Sequence, residues 1–266
     1  MANKCEELSG GNSTSVYKLN DTVLREQKTW SPTIHKLLLH LEKVQYAHSP
    51  RFIGIDIKGR EVLSFVPGDC KADYPLTNDK EMQLLIIKKM AEIMRKYHDA
   101  TLSFERKETD NWMFSYKGCL EKEVICHNDI APYNVTFIDD MPYGLIDFDV
   151  CCPAPRIWDI VYALYRFVPF SEKIYDIEKR EYRNYDAAID KEFRSSSINV
   201  FFHAYGMECP NDLFEQMTDR LKSLADLIYE EAQSGNTAFQ KMLGEGHRDF
   251  YLEEIKFIKK HAKEWL

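Results

Sequence analysis

The chain has 266 residues, 44% of them hydrophobic and 29% charged, enough for one large domain or two small lobes with a sizeable core. Its formal net charge of −8 disfavours nucleic acid or an anionic membrane as a partner of the chain as a whole. The seven cysteines lie scattered, with no CxxC pair, which argues against a disulfide framework or a zinc site.

The opening "MANKCEELSGG" has no signal-peptide core, and no apolar run reaches membrane-spanning length. Reduced thiols and a cytoplasmic location are therefore expected. The first 70 residues read mainly as strands with one helix. "LSGGNSTSVYKL" and "TVLREQ" flank the turn signal Asn20-Asp21 and form a hairpin. "SPTIHKLLLHLEKV" is a helix, capped by Ser31 with Pro32 in its first turn, and Ile34, Leu37, Leu38, Leu41 and Val44 share one face. "RFIGIDIKGREVLSFVPG" is a second hairpin, turning at Lys58-Gly59. From residue 79 the period becomes helical, with Asn78 or Asp79 as the cap. Further helices are expected roughly over 156–168, 187–206, 211–233 and 247–265.

Between these helical stretches lies "VICHNDIAPYNVTFIDDMPYGLIDFDVCC", residues 124–152, with five Asp and two Asn in apolar surroundings. "EVICHND", "VTFID" and "YGLIDFD" read as short strands, with "DIAPYN" a loop and a turn at Asp139 to Pro142. Asp129, Asn134 and Asp147 then stand in a loop or at strand ends, where side chains can face a cleft. Phosphoryl transfer needs a carboxylate near the acceptor hydroxyl, and an amide oxygen and a second carboxylate to hold Mg²⁺. These three residues are of the right types. On an alternating strand Asp149 would share a face with Asp147 as a second metal-binding or structural acid.

The run "HNDIAPYN…LIDFD" resembles the catalytic and metal-binding segments of the aminoglycoside phosphotransferase family, which shares its fold with choline kinases and, more distantly, protein kinases. The resemblance runs over roughly residues 8 to 168. It implies an α+β, protein kinase-like two-lobed fold. Residues 1–68 would form a β-rich nucleotide-binding lobe, and residues 69–266 a helical lobe with the catalytic loop and substrate site. It implies Asp129 as catalytic base or orienter, His127 behind the loop, and Asn134 and Asp147 on Mg²⁺. Gly10 and Gly11 would cover the phosphates of ATP or GTP, Arg25 would face them, and Ser64, Phe65 and Val66 would border the base. Asp159 would brace the catalytic loop.

Two departures from the family pattern have structural consequences. Asn128 replaces the usual Gly after the loop histidine, so a left-handed backbone is expected there. His35 occupies the helix position of the family's Glu. A neutral His35 accepting a hydrogen bond from Arg25 is one expectation; a partner in Glu26 or Asp69, or none, is another. Bland readings stand beside these: Gly10-Gly11 as a turn, Arg25 as a solvated strand charge, His35 as an ordinary surface or core histidine. The acidic chain favours a cationic acceptor, of aminoglycoside or amino-alcohol type. The alternative is a kinase-like nucleotide-binding protein without turnover, in a regulatory or immunity role. A small-molecule substrate and a nucleotide are the expected partners, with no nucleic acid and no membrane.

Overall fold

The strands of the first quarter of the chain pair mostly as hairpins, the first with the second, the second with the third and the fourth with the fifth, and the fifth then lies against the third. The computed structural model describes residues 5–8, 16–71 and 76–266. Its N-terminal elements are β1 (Cys5–Leu8), β2 (Val16–Leu19), β3 (Thr22–Glu26), α1 (Ser31–Lys43), β4 (Phe52–Ile55), β5 (Arg60–Ser64) and β6 (Asp69–Cys70). Then come α2 (Lys80–Thr101), β7 (Val124–Cys126), β8 (Val135–Ile138), β9 (Met141–Leu145) and β10 (Cys152–Ala154). The C-terminal elements are α3 (Arg156–Phe167), β11 (Lys173–Asp176), β12 (Glu181–Asn184), α4 (Ala187–Tyr205), α5 (Leu213–Gln233), α6 (Thr237–Gly244) and α7 (His247–His261).

One compact unit comprises Met1–Cys70, Lys96–Asp129 and Asn134–Arg156. Its main sheet is antiparallel, in the order β1-β2-β3-β5-β4. The hairpin expected at Asn20-Asp21 is present, with Asn20 at φ 53°. The second turns through Asp56, whose carboxylate accepts from the amides of Lys58 and Arg60. The pairing of β3 with β5 sets Arg25 directly opposite Glu61. Helix α1 buries Ile34, Leu37, Leu38 and Leu41, the stripe its sequence period indicates. Its cap differs from expectation. Ser31 lies inside the helix, and its hydroxyl accepts from the Lys28 amide instead of capping. The helix is tied down by Lys36, which reaches both Asp110 oxygens at 2.8 and 2.9 Å, and by Thr33, which accepts from the Asn111 amide.

Within the same unit, β8 and β9 turn at Asp139-Asp140, both left-handed, with β6 alongside. His48, in the segment between α1 and β4, holds this layer: its ring contacts the Tyr143 carbonyl at 2.5 Å, and its own carbonyl accepts from the Leu145 amide at 2.7 Å. Gly144 is required at this seam. A Cβ there would meet the Val66 side chain at 2.5 Å.

The other unit comprises Lys71–Arg95, Ile130–Tyr133 and Ile157–Leu266. Helix α2 begins in it, with Asp79 accepting from the Glu81 and Met82 amides as the N-cap. Helix α5 packs along α7, and Phe170, Phe214 and Trp265 gather in an aromatic core. Of the described helices, none is long and apolar enough to cross a membrane. No disulfide joins the cysteines whose side chains are described.

Candidate active site

The residues singled out in the central motif all belong to the first unit. After β7 the chain passes His127, fully buried, whose Nε2 lies 3.0 Å from the Ile146 carbonyl. Asn128 follows at φ 66°, in the left-handed region expected for it. Its amide nitrogen donates to the Val150 carbonyl at 2.9 Å, so the same side chain that tolerates the turn also fastens it. Asp129 comes next. A 3₁₀ turn over Pro132–Asn134 brings Asn134 back to it: Asn134 Nδ2 donates to Asp129 Oδ2 at 2.7 Å and to the Asp129 carbonyl at 3.0 Å. The five-residue interval between the two is thus closed as a hydrogen-bonded loop. Because Nδ2 is committed to Asp129, the amide's hard oxygen lies on the other side of the group. The Asn134 carbonyl accepts from the Ile146 amide at 3.0 Å, which ties the loop to the segment carrying the next acids.

That segment is not the strand expected of it. Strand β9 ends at Leu145, and Asp147 stands at φ 62°. Alternation along a strand therefore does not place Asp147 and Asp149. A left-handed turn does, and both carboxylates reach one arginine. Arg25 Nη1 donates to Asp147 at 3.2 Å and Nη2 to Asp149 at 2.6 Å, while Nε donates to Glu61 Oε1.

The expected contact between His35 and Arg25 is replaced by a different one. Glu61 stands between them: its Oε1 takes Arg25, and its Oε2 lies 2.5 Å from His35 Nε2. Glu26 and Asp69 are not the acids that hold Arg25. Glu61 was not singled out in the sequence. The signal for it lay in the pairing of the two hairpins, which puts a strand acid opposite a strand cation.

The charges respond to this crowding. Burial works against the Arg25 guanidinium, but Asp149, Glu61 and Asp147 outweigh it and hold its pKa above the ordinary value. Burial pushes Asp149 up; Asp147 and Glu61 add to the push, and Arg25 only partly offsets it. Burial also acts to raise Glu61, yet its hydrogen bond with His35 and the charge of Arg25 bring its carboxyl below the usual value. A carboxyl held up by burial and neighbouring acids is one that a cation would relieve. Asp147, 52% exposed at its side chain, Asp149 and the Asn134 amide oxygen are the hard donors Mg²⁺ prefers, so the residues fit such an ion.

The segment expected beside the base is Ser64 to Val66. Ser64 ends β5, and its hydroxyl accepts from the Arg51 amide. The Phe65 amide donates to the Asp21 carbonyl at 2.8 Å, and Lys18 lies 3.5 Å over the Phe65 ring. Val66 is buried. Gly10 and Gly11 lie outside the described residues.

The sequence model of the phosphotransferase enzyme family matches residues 24–191. A trifolitoxin immunity protein of Rhizobium leguminosarum bv. trifolii is 29% identical over 204 residues, covering 75% of this chain and 73% of the relative. A candidate aminoglycoside phosphotransferase of Ralstonia eutropha superposes with a TM-score of 0.63 at 14% identity, over 97% of this chain and 93% of that one. The GDP and kanamycin complex of APH(2″)-IIia superposes with a TM-score of 0.55 at 12% identity, over 100% and 95%. The fold is that of the kinase-like phosphotransferases, with a small N-terminal sheet and a helical C-terminal part.

Proposed function

We propose that this chain, which belongs to the phosphotransferase enzyme family, is a small-molecule kinase that moves the γ-phosphate of ATP or GTP to a hydroxyl group. The observation that carries this reading is the closed Asp129–Asn134 loop, 2.7 Å from carboxylate to amide. It holds a carboxylate in one orientation with an amide oxygen turned away from it. In this reading Asp129 orients the acceptor hydroxyl and takes its proton as the oxygen bonds to the γ-phosphorus. The bond from that phosphorus to the bridging oxygen breaks, and the nucleoside diphosphate leaves with the electron pair. Asn134 and Asp147 would hold Mg²⁺, with Asp149 adding charge. When bound, the ion neutralises the phosphate oxygens. Arg25 would face the phosphates, Gly10-Gly11 would cover them, and Ser64 to Val66 would border the base. His127, bonded to the Ile146 carbonyl, would keep the loop and the acid segment in register.

The net charge of −8 supports a cationic acceptor, of aminoglycoside or amino-alcohol type, and a cytoplasmic enzyme is the setting that supplies the nucleotide. The trifolitoxin immunity relative is compatible with a second reading, a kinase-like nucleotide-binding protein without turnover in a regulatory or immunity role. One assay separates the two. Release of ADP or GDP is measured with Mg²⁺ across aminoglycosides, choline and amino alcohols. An acceptor that stimulates release, and no longer does so in Asp129→Asn, supports the kinase. Nucleotide binding with no stimulation by any acceptor favours the second reading.

A further inference from the structure

Arg25 is gripped on two sides by groups of different standing. Its Nη atoms go to Asp147 and Asp149, acids on a turn, one of them half exposed. Its Nε goes to Glu61, whose side chain is 1% exposed and whose two oxygens are both engaged, by Arg25 and by His35. The backbone register makes that grip rigid. Arg25 and Glu61 are directly opposed across β3 and β5, which puts both side chains on one face of the sheet. His35 is equally fixed: it is buried and stacks on Phe52 at 3.9 Å with 14° between the rings. Its neighbour Lys36 anchors α1 to Asp110. The result is an unbroken chain of contacts from helix to strand to guanidinium.

We infer that Glu61 and His35 are positioning residues of the nucleotide site: Glu61 holds the Arg25 guanidinium by its Nε edge, and His35 ties that hold to helix α1. This rests on the reading of Arg25 as a phosphate-facing residue. The physical need is one of orientation. A guanidinium with nothing behind it is free to swing about its stem, and its Nη groups keep no fixed direction. An acid at the Nε edge fixes the plane of the group with both Nη atoms turned toward Asp147 and Asp149, where they stand at 3.2 and 2.6 Å. In this chain that acid comes from the neighbouring strand, and the helix supplies an imidazole that orients it. The helix therefore acts on Arg25 through Glu61 instead of touching it.

The test is equilibrium binding of Mg²⁺–ADP and Mg²⁺–GDP to the parent, to Glu61→Gln and to the double variant His35→Glu/Glu61→Gln, with thermal melting as a check of folding. In the double variant the new amide on β5 can accept from Arg25 and donate to the new carboxylate on the helix, so the contact chain and its negative charge are both kept. Glu61→Gln is expected to weaken binding of whichever nucleotide the parent prefers by about tenfold, the worth of one charge-assisted hydrogen bond. The double variant is expected to recover most of that loss. With an acceptor in hand, the loss in Glu61→Gln should appear in KM for the nucleotide more than in kcat. A folded Glu61→Gln protein that binds like the parent overturns the inference and leaves the proposed function standing. A double variant no better than the single one removes His35 from the role. A parent that binds neither nucleotide overturns the proposed function, and this inference with it.

Discussion

Two arginines of this chain are held in opposite ways. Arg25, in the first unit, is ringed by three carboxylates that together hold its pKa above the ordinary value. Arg194, in the second, is fully buried beneath aromatic rings: Tyr185 at 4.1 Å, Trp265 at 4.4 Å, Phe257 at 5.6 Å and Phe170 at 5.9 Å. One of its nitrogens donates to the Ser171 carbonyl at 2.8 Å. Burial pushes it down to about 10. The nearby glutamates differ in the same sense. Glu61 sits below the usual carboxylate value, and Glu254, raised by burial and only partly compensated by its bonds from Ser171 and Tyr165, sits above it. A cation held by acids can exchange them for phosphate at similar energy. A cation held by ring faces has no such exchange open to it and serves to organise a core. The first arrangement suits a site and the second a scaffold.

The sharpest way to break that contrast is at the site itself. Asp129→Asn should lower kcat by about 10²–10⁴ while unfolding in urea stays as in the parent, because the loop keeps its Asn134 bond to an amide oxygen. A large loss of stability in this variant would mean that the acid belongs to the scaffold. Next comes the opposite case. Arg194→Ala empties the centre of the aromatic cage and should cost about 2–5 kcal/mol of unfolding free energy, with Mg²⁺–nucleotide affinity unchanged in the folded fraction. Arg25→Ala should do the reverse, raising the nucleotide dissociation constant roughly tenfold to a hundredfold for about 1.5–3 kcal/mol, with a smaller effect on unfolding.

The smallest effects are in pH. The Glu61 value is lower in the folded chain than in the unfolded one, so its contribution to stability is present above the ordinary carboxylate value and is lost as pH falls through the lowered one. The Glu254 value is raised, so its contribution is present at acid pH and is lost as pH rises through the raised one. Urea midpoints against pH should therefore shift in opposite directions relative to the parent: Glu61→Gln gains relative stability toward acid, Glu254→Gln toward neutrality. Parallel shifts would show that the two glutamates share one environment after all.

Local patterns carried much of this molecule. The His127-x-Asp129 run and its interval to Asn134 were readable because the loop closes on itself over five residues. The turns at Asn20-Asp21 and Asp139-Asp140, and the apolar stripe of α1, follow from residues a few positions apart. What escaped was long-range or weakly patterned. Glu61 lies 36 residues from Arg25, and only the pairing of β3 with β5 reveals it as partner. Helix α6 is only eight residues long and buries none of them, and the short hairpin β11–β12 lacks a strong turn signal. The acids after Leu145 looked like a strand because alternation is a local rule, whereas the left-handed Asp147 that ends it is set by its surroundings.

Asp147 and Asn128, at φ 62° and 66°, occupy backbone positions that glycine would adopt with less strain. A library of this chain sorted only for folding should drift toward glycine at 147 and keep Asn128 for its bond to the Val150 carbonyl, and one sorted for phosphotransfer should forbid the drift at 147. The two selections would then disagree at a single codon, which marks where the chain gives up robustness to keep a carboxylate.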